Sequence, residues 1–533
     1  MKNIYQAFYI LASLLCTGCS DFLSEYSQDM IVAKQVSDLD EVLLGDVYLP
    51  SREIAHGAGI STGGFLNILD DDINTAVSLN VTESQKSLCW RYCIAPLFGY
   101  YAWQLEVGRN YQDTGVMDDA TTWNDLYHRI NIANMILHEI EDLPHEMQQD
   151  YLDYLRVTGE AYFTRAQFYF MLANLYGDAY SPKSCDTKLA VPLKLSYYVE
   201  HDKENDTQFQ RATLREVYDQ IVSDLLEAED RLTRSPQKED NRLHRASLEA
   251  VDLLLSRVYL YRQDYENAEK KADVVVKSTN VILSTLGSLN PDTPFLTRDN
   301  REIIFSQGSN YLAPTEMLAG EAADYCVTQE LYDMYDPIND HRATTFFRRL
   351  SGETDSIGLT NKYQRGNNIQ SHVSDVFMLR KAEAYLNKAE ACAMQSGKEA
   401  EANNMLNEIR RNRIAGYINQ IYSGEELVTQ IRNERRKELC FEGHRWFDLR
   451  RYAVCEKYPY SRDIVHVVNV HDDDNRNIYL LTLRYLLPAG DPAYTFQIPK
   501  SILEFDRVPM QDNLRQPRPA IKDDIAYTNI TGK

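Results

Sequence analysis

Four long segments place apolar residues at helical spacing and alternate small side chains with large ones. This commits most of the chain to closely packed helices. The first spans residues 120–141, with Trp123, Leu126, Tyr127, Ile130, Ala133, Asn134 and Leu137 near one face. The second, residues 155–178, sets Gly159, Ala161, Ala166 and Ala173 among Phe163, Tyr169, Phe170 and Leu172. Small residues let helix axes approach, and large ones fill the grooves beside them. That run stops at Gly177 and Asp178, with Pro182 soon after. The third pairs residues 213–232 with 246–277 and turns at Gln263 and Asp264. Its Ala250, Leu254, Tyr261, Tyr265, Ala268 and Ala272 take the packing places of a helical hairpin. The fourth, residues 376–413, repeats the design around Ser396 and Gly397.

These hairpins resemble tetratricopeptide units, but their spacing is irregular, so a uniform solenoid is not expected. The expected fold is mainly α: irregular tetratricopeptide-like helical hairpins with long loop-rich excursions and a few short strands. One domain, 46–533, carries its helical scaffold over about 120–280 and 373–455. Loop-rich regions fill about 46–119, 281–372 and 456–533. Within the last, IVHVVNV and IYLLTLRYLL flank HDDDNRN, which reads as a hairpin with a polar turn. Binding sites gather on loops carried by rigid elements, so the excursions are the place to look for one.

The chain opens MKNIYQAFYILASLLCTGCSDF. Lys2 precedes an apolar run from Ile4 to Cys16 that is too short to span a bilayer core. A charged start, a short apolar stretch and small residues at the exit describe a secretory leader, residues 1–18. Thr17 and Gly18 before Cys19 resemble the lipobox of bacterial lipoproteins, with Cys16 standing where Leu is usual. That resemblance implies acylation of Cys19 and an anchor in membrane lipid, each buried methylene contributing about 0.8 kcal/mol. The polar stretch 19–45 reads as a tether between anchor and body.

The formal net charge of −23 argues against nucleic acid or an anionic membrane surface as a partner. Of nine cysteines, seven remain once Cys16 leaves with the leader and Cys19 takes lipid. An odd, scattered set is no disulfide framework. Cys89 and Cys93 share a helical face but lack the partners of a zinc site, so buried apolar thiols are expected. Gly59-Ile60-Ser61-Thr62-Gly63 fits the GxSxG pattern without the buried strand that a nucleophile elbow needs, and reads as a loop. Counted from Asp472, the sixth and twelfth places of a calcium loop hold Asn477 and Leu483, so Asp472–Asp474 read as a solvated turn. Asp70, Asp71 and Asp72 are equally ambiguous between a calcium site and a solvated turn. No catalytic residue, cofactor or metal is expected.

Aromatic residues crowd the run WRYCIAPLFGYYAWQLEVGRNY, residues 90–111, with Gln104, Arg109 and Asn110 among them. Most of these rings are expected to pack in the core. Two or three would face a ligand, because a sugar ring stacks its C–H face on an aromatic ring and needs polar side chains for its hydroxyls.

At Ile431 the chain reads IRNERRKELCFEGHRWFDLRRY. Glu434, Arg435, Glu438, Leu439, Glu442, Gly443, Arg445, Asp448, Leu449 and Arg451 match the C-terminal signature of the RagB/SusD family, which this chain closely resembles. Trp123, Tyr127, Ile130 and Asn134 fit an early family helix, and Gly159-Glu160-Ala161 with Arg165-Ala166 fits the next. Glu383, Tyr385, Ala389-Glu390-Ala391, Asn407 and Arg410 fit the last helical pair. Gln511-Asp512-Asn513 departs from the family's usual closing run. Alternating Arg and Glu at helical spacing make ion-pair ladders, so the signature reads as structural. Glu442, Arg445 and Asp448 are expected to tie the last helix to the core.

The resemblance implies a non-enzymatic lipoprotein on the surface of a Bacteroidetes-type outer membrane. Such proteins capture oligo- or polysaccharides, or in some members peptides, and sit as a lid on a SusC-like TonB-dependent transporter. The family's ligand site lies opposite the tetratricopeptide face, in the early aromatic segment and the loops between the third and fourth units. Placement by segment gives Trp90, Tyr101, Trp103, Tyr111, Asn310, Tyr311 and Tyr325 as ligand-binding candidates. A surface glycoside hydrolase and an adhesin or fimbria-like subunit are the competing readings, and the helical periods speak against the second.

Overall fold

The computed structural model describes residues 33–51, 62–75, 95–110, 113–197 (without 146), 209–235, 243–312 (without 291), 325–349, 357–363 (without 360), 372–471 and 479–522 (without 506, 507 and 509). Cys19, Cys89, Cys93, Ser61 and Asp472–Asp474 lie outside them. The helices are α1 (Val36–Val42), α2 (Ala95–Tyr101), α3 (Thr121–Glu139), α4 (Gln148–Tyr176), α5 (Leu214–Arg234), α6 (Leu248–Tyr261) and α7 (Tyr265–Lys277). They continue with α8 (Gln329–Asp333), α9 (Arg342–Thr345), α10 (Lys381–Met394), α11 (Glu399–Arg411), α12 (Gly424–Leu439), α13 (Arg445–Ala453) and α14 (Lys500–Leu503).

The expected hairpins are present and stack in sequence: α3 on α4, α4 on α5, α5 on α6, α6 on α7, then α7 on α10, which also carries α11 and α12. Local chemistry sets their ends. Thr213 caps α5 while Glu216 bonds back to it, and Arg231 and Arg234 sit at the carbonyl end. Ser247 and Asp264 cap α6 and α7. Small residues act as the alternation predicts: a Cβ added at Gly159 of α4 would lie 3.0 Å from Leu232 Cγ of α5. Among the described residues no helix is long and apolar enough to cross a membrane. The described cysteines are free and, apart from the partly exposed Cys326, buried.

Three expectations shift. Helix α4 begins at Gln148 rather than 155, and the fourth helical run begins at Lys381 rather than 376. Residues Met378–Arg380 are strand because they pair with Ile303–Ser306. The tether also ends sooner than residue 45. Val36, Leu39, Leu43 and Val47 are buried in the main core, and Asp40 meets Arg156 at 2.9 Å. Their spacing of three and four residues makes one apolar helical stripe, which a polar average over the segment conceals.

Among the described residues nine short strands join the layers: β1 (Ile73–Thr75), β2 (Ile303–Ser306), β3 (Tyr325–Val327), β4 (Phe347–Arg349), β5 (Ile357–Leu359), β6 (Met378–Arg380), β7 (Ile464–His471), β8 (Tyr479–Leu487) and β9 (Ile521–Lys522). They form a sheet β1-β3-β5-β4, a pair β2-β6 and a sheet β7-β8-β9. The β7–β8 hairpin is the one its sequence predicts, and its strand β7 packs on β1.

Candidate functional site

The structure moves the ligand candidates indoors. Tyr101 is 0 % and Trp103 1 % exposed, and Tyr325, Tyr311 and Asn310 are buried too; Trp90 and Tyr111 lie outside the described residues. The Tyr101 hydroxyl lies 2.9 Å from Asn74 Oδ1 and 3.0 Å from the Val467 carbonyl, and accepts from the Thr75 amide. Trp103 donates from Nε1 to the Leu69 carbonyl at 3.0 Å. His466 of β7 is sandwiched between these two rings, 4.2 Å from each centroid, and burial pushes its imidazole down to about 4. Tyr325 meets Tyr101 edge-on at 5.2 Å. Asn310 donates to the Val373 carbonyl, and the Tyr311 amide to Asp375. As a correction, then, Tyr101, Trp103 and Tyr325 clamp β1, β3 and β7 together. Asn310 and Tyr311 fasten the chain after β2 to the segment before β6. All five are buried, and the rings of Tyr101 and Trp103 lie stacked against His466, so these two offer no open stacking surface to a ligand.

The Arg/Glu signature is structural, as its spacing predicts. Glu442 accepts from both Arg380 and Lys362, at 2.7 Å each. Gly443, at φ +73°, turns the chain so closely that a Cβ would lie 3.3 Å from Val376 Cα. Arg445 grips both oxygens of Asp71 at 2.7 and 2.8 Å, and Asp448 accepts from Arg435 and Arg451 at 2.8 Å. Glu438 faces Arg342, Arg380 and Arg413 at 2.7–2.8 Å, and their charges hold its acid well below the usual range. Asp70, Asp71 and Asp72 are the one grouping of three candidate metal ligands among the described residues. Arg436, Arg445 and Arg462 already occupy Asp71, Arg436 also holds Asp72, and burial with the neighbouring acids raises Asp70. The cluster is therefore an ion-pair hub, with its carboxylates facing guanidinium groups where a cation would have to sit.

A concavity of about 700 Å³ opens elsewhere. Its walls come from the loop after α4 (Asp178, Thr187, Lys188), from Arg211, from α13 (Leu449, Arg450, Ala453), from the turn 490–495 and from Gln511–Leu514. Arg211 builds it: the guanidinium donates to the carbonyls of Tyr176, Ala190 and Gln511 and to Asn513 Oδ1, stapling the C-terminal segment to the α4 loop. Arg450 likewise donates to the carbonyls of Asn174 and Gly177. Burial lowers both arginines below their ordinary range, though both remain charged at neutral pH. Asp178 and Lys188 face each other at 3.0 Å across a half-exposed wall. Asp491 pairs with Arg518 at 2.7 Å, and the half-buried Tyr494 ring stacks on Trp446 at 4.8 Å. Charged side chains (Asp178, Lys188, Arg462, Asp491) and apolar ones (Leu449, Ala453, Val454, Pro492) thus line the same groove. Sequence reasoning missed this groove because five segments spread along the chain build it.

A stack of irregular helical hairpins with loop-built concavities at its side defines a helical-repeat scaffold of the tetratricopeptide kind. Family comparison names it more narrowly. A family model described as starch-binding and associating with the outer membrane matches residues 93–260, and the SusD family model matches 348–507. The chain belongs to the RagB/SusD family. It is 25 % identical over 384 residues to SusD-like protein P38 of Formosa agariphila, covering 61 % of this chain and 71 % of that one. SusD-like protein P25 of the same organism is 22 % identical over 510 residues, covering 84 % and 89 %. A SusD superfamily protein from Bacteroides vulgatus superposes with a TM-score of 0.65 at 21 % identity, over 90 % of this chain and 99 % of its own. A SusD-like carbohydrate-binding protein from the same organism gives 0.64 at 18 %, over 90 % and 99 %. A laminarin-binding SusD-like protein gives 0.57 at 21 %, with the same coverage.

Proposed function

We propose that this protein captures an oligo- or polysaccharide at the cell surface and passes it to a SusC-like TonB-dependent transporter, with no chemistry of its own. The observation that carries the ligand class is the groove of about 700 Å³. Its mixed lining of charged and apolar side chains suits a ligand that presents both hydroxyls and C–H faces. Membership of a carbohydrate-binding family supports the same class, as do solved relatives described as carbohydrate-binding and laminarin-binding. The anchor is an acylated Cys19, and the tether runs from there to the start of the packed body near Ala33. A lipid-held binder cannot move solute across a bilayer, which admits only helices or closed barrels as routes, so a barrel partner completes the task.

A glycan array probed with the purified protein tests this reading. One class of glycan should bind at micromolar to millimolar strength, as expected for an open site with few buried polar contacts. Reducing ends released in proportion to protein would overturn it in favour of a hydrolase. Binding of peptides alone would overturn the glycan assignment.

A further inference from the structure

On the far side of the segments 495–498 and 511–515 from the groove lies a second cavity of about 190 Å³. The two share Asp512 as a wall. This smaller cavity is walled by the rings of Phe65, Tyr100, Tyr176 and Phe496, with Tyr100 stacked on Phe65 at 4.0 Å. Arg515 lines it and is 6 % exposed. Its guanidinium lies over Phe496 at 5.3 Å and donates from Nη2 to the Trp103 carbonyl at 3.3 Å. Its Nε and Nη1 are buried without a hydrogen-bond partner among the described residues. A buried charged donor left unmatched is costly, and a charged group in that state inside a cavity points to an acceptor that arrives from outside.

Asp119 lines the same cavity and has no cationic partner among the described residues. Burial and the nearby Asp118 and Glu106 raise its acid. Asp119, Tyr100 and Tyr176 line this one space together. Asp512 is spent on the Ile498 and Asn513 amides and on Gln497. The cavity therefore offers an unmatched guanidinium, an unmatched carboxylate and aromatic walls. A bare anion would satisfy Arg515 but would meet Asp119 and Asp512; a bare cation would meet Arg515. A neutral ring bearing several hydroxyls gives acceptors to one and donors to the other, and lays its C–H face on the aromatic rings.

We propose that this cavity is a separate pocket for one neutral pyranose unit, either the end of a captured chain or a free monosaccharide. The volume falls below the roughly 300 Å³ at which pockets for drug-sized ligands begin, so it admits one ring and not a chain. The proposal rests on the glycan reading for its ligand class and adds a position and a size limit to it.

Ligand-observed NMR and calorimetry with glucose, galactose, mannose and N-acetylglucosamine test it, with sodium acetate and sodium sulfate as anion probes. One of the sugars should bind the full-length protein. Asp119→Asn and Arg515→Gln should each weaken that binding roughly tenfold or more, as loss of a hydrogen bond to a charged group does. Melting temperatures report whether each variant folds; Asp119 is only half buried, so D119N decides the matter if R515Q does not fold. Binding of acetate or sulfate with none of the sugars would overturn the pocket as an anion site. Array binding to polysaccharide with no monosaccharide affinity, or with D119N equal to the parent, would overturn the pocket and leave the glycan function standing.

Discussion

Replacing Glu438 by Gln removes one negative charge from the most enclosed part of the fold. Glu438 is 0 % exposed and meets Arg342, Arg380 and Arg413 at 2.7–2.8 Å. Breaking a buried ion pair by removing one partner costs about 3–5 kcal/mol, because the other charge stays buried and uncompensated. Here each arginine keeps another carboxylate: Arg342 has Asp340 and Glu434, Arg380 has Glu302 and Glu442, and Arg413 has Glu302. The Gln oxygen also still accepts a hydrogen bond. The lower end, about 3 kcal/mol, is therefore expected. With an unfolding entropy of about 2.1 cal/mol/K per residue over the roughly 400 described residues, this corresponds to a fall of about 3.5 °C in Tm by calorimetry. The pH dependence follows from the depressed acid of Glu438. Its contribution is fully present above the ordinary value of 4.5 and is lost as pH falls through the lower folded value. The gap between parent and variant should therefore narrow below about pH 4.5. A variant that melts with the parent at pH 7, or a gap that widens in acid, would refute the account of the network.

Three further outcomes are expected. Trp103→Ala should cost about 3–5 kcal/mol of stability while the folded fraction keeps its glycan affinity; weaker binding without a lower Tm would return Trp103 to the ligand surface. Gly99→Ala drives a Cβ into the Val107 carbonyl and should cost about 1–3 kcal/mol, read as a shift in the urea midpoint. Mass spectrometry of membrane-bound protein should find an acylated N-terminal Cys19, and Cys19→Ala should release the protein from the membrane; equal retention would contradict the anchor.

The scaffold was legible because its signal is periodic. Small residues such as Gly159 sit where helices nearly touch, and Gln263, at φ +61°, makes the turn expected there. The structural role of the Arg/Glu signature was legible, but not its partners: the spacing suggested ladders along one helix, and most of the pairs instead reach other elements, such as Glu438 to Arg342, Arg380 and Arg413. The aromatic run was not legible. Tyr101 and Trp103 have the same side chains whether they stack on a sugar or on His466, and only the arrival of β7, hundreds of residues later, decides between these. The groove was invisible in a different way. Asp178, Arg211, Leu449 and Asn513 carry no local pattern, and they meet because Arg211 gathers backbone carbonyls from separate segments.

The pairing of Asp71 with Arg445 spans 374 residues of chain. At the usual pace of synthesis, about 5–20 residues per second, the basic partner follows the acidic one by roughly 20–75 s. For that interval the acidic run is a stretch of like charges with nothing to neutralise it. The hub around Asp71 therefore cannot be completed until the final third of the chain is present. The layer that contains β1 is thereby tied together from the far end of the polypeptide, and no N-terminal fragment that stops short of Arg445 can close it.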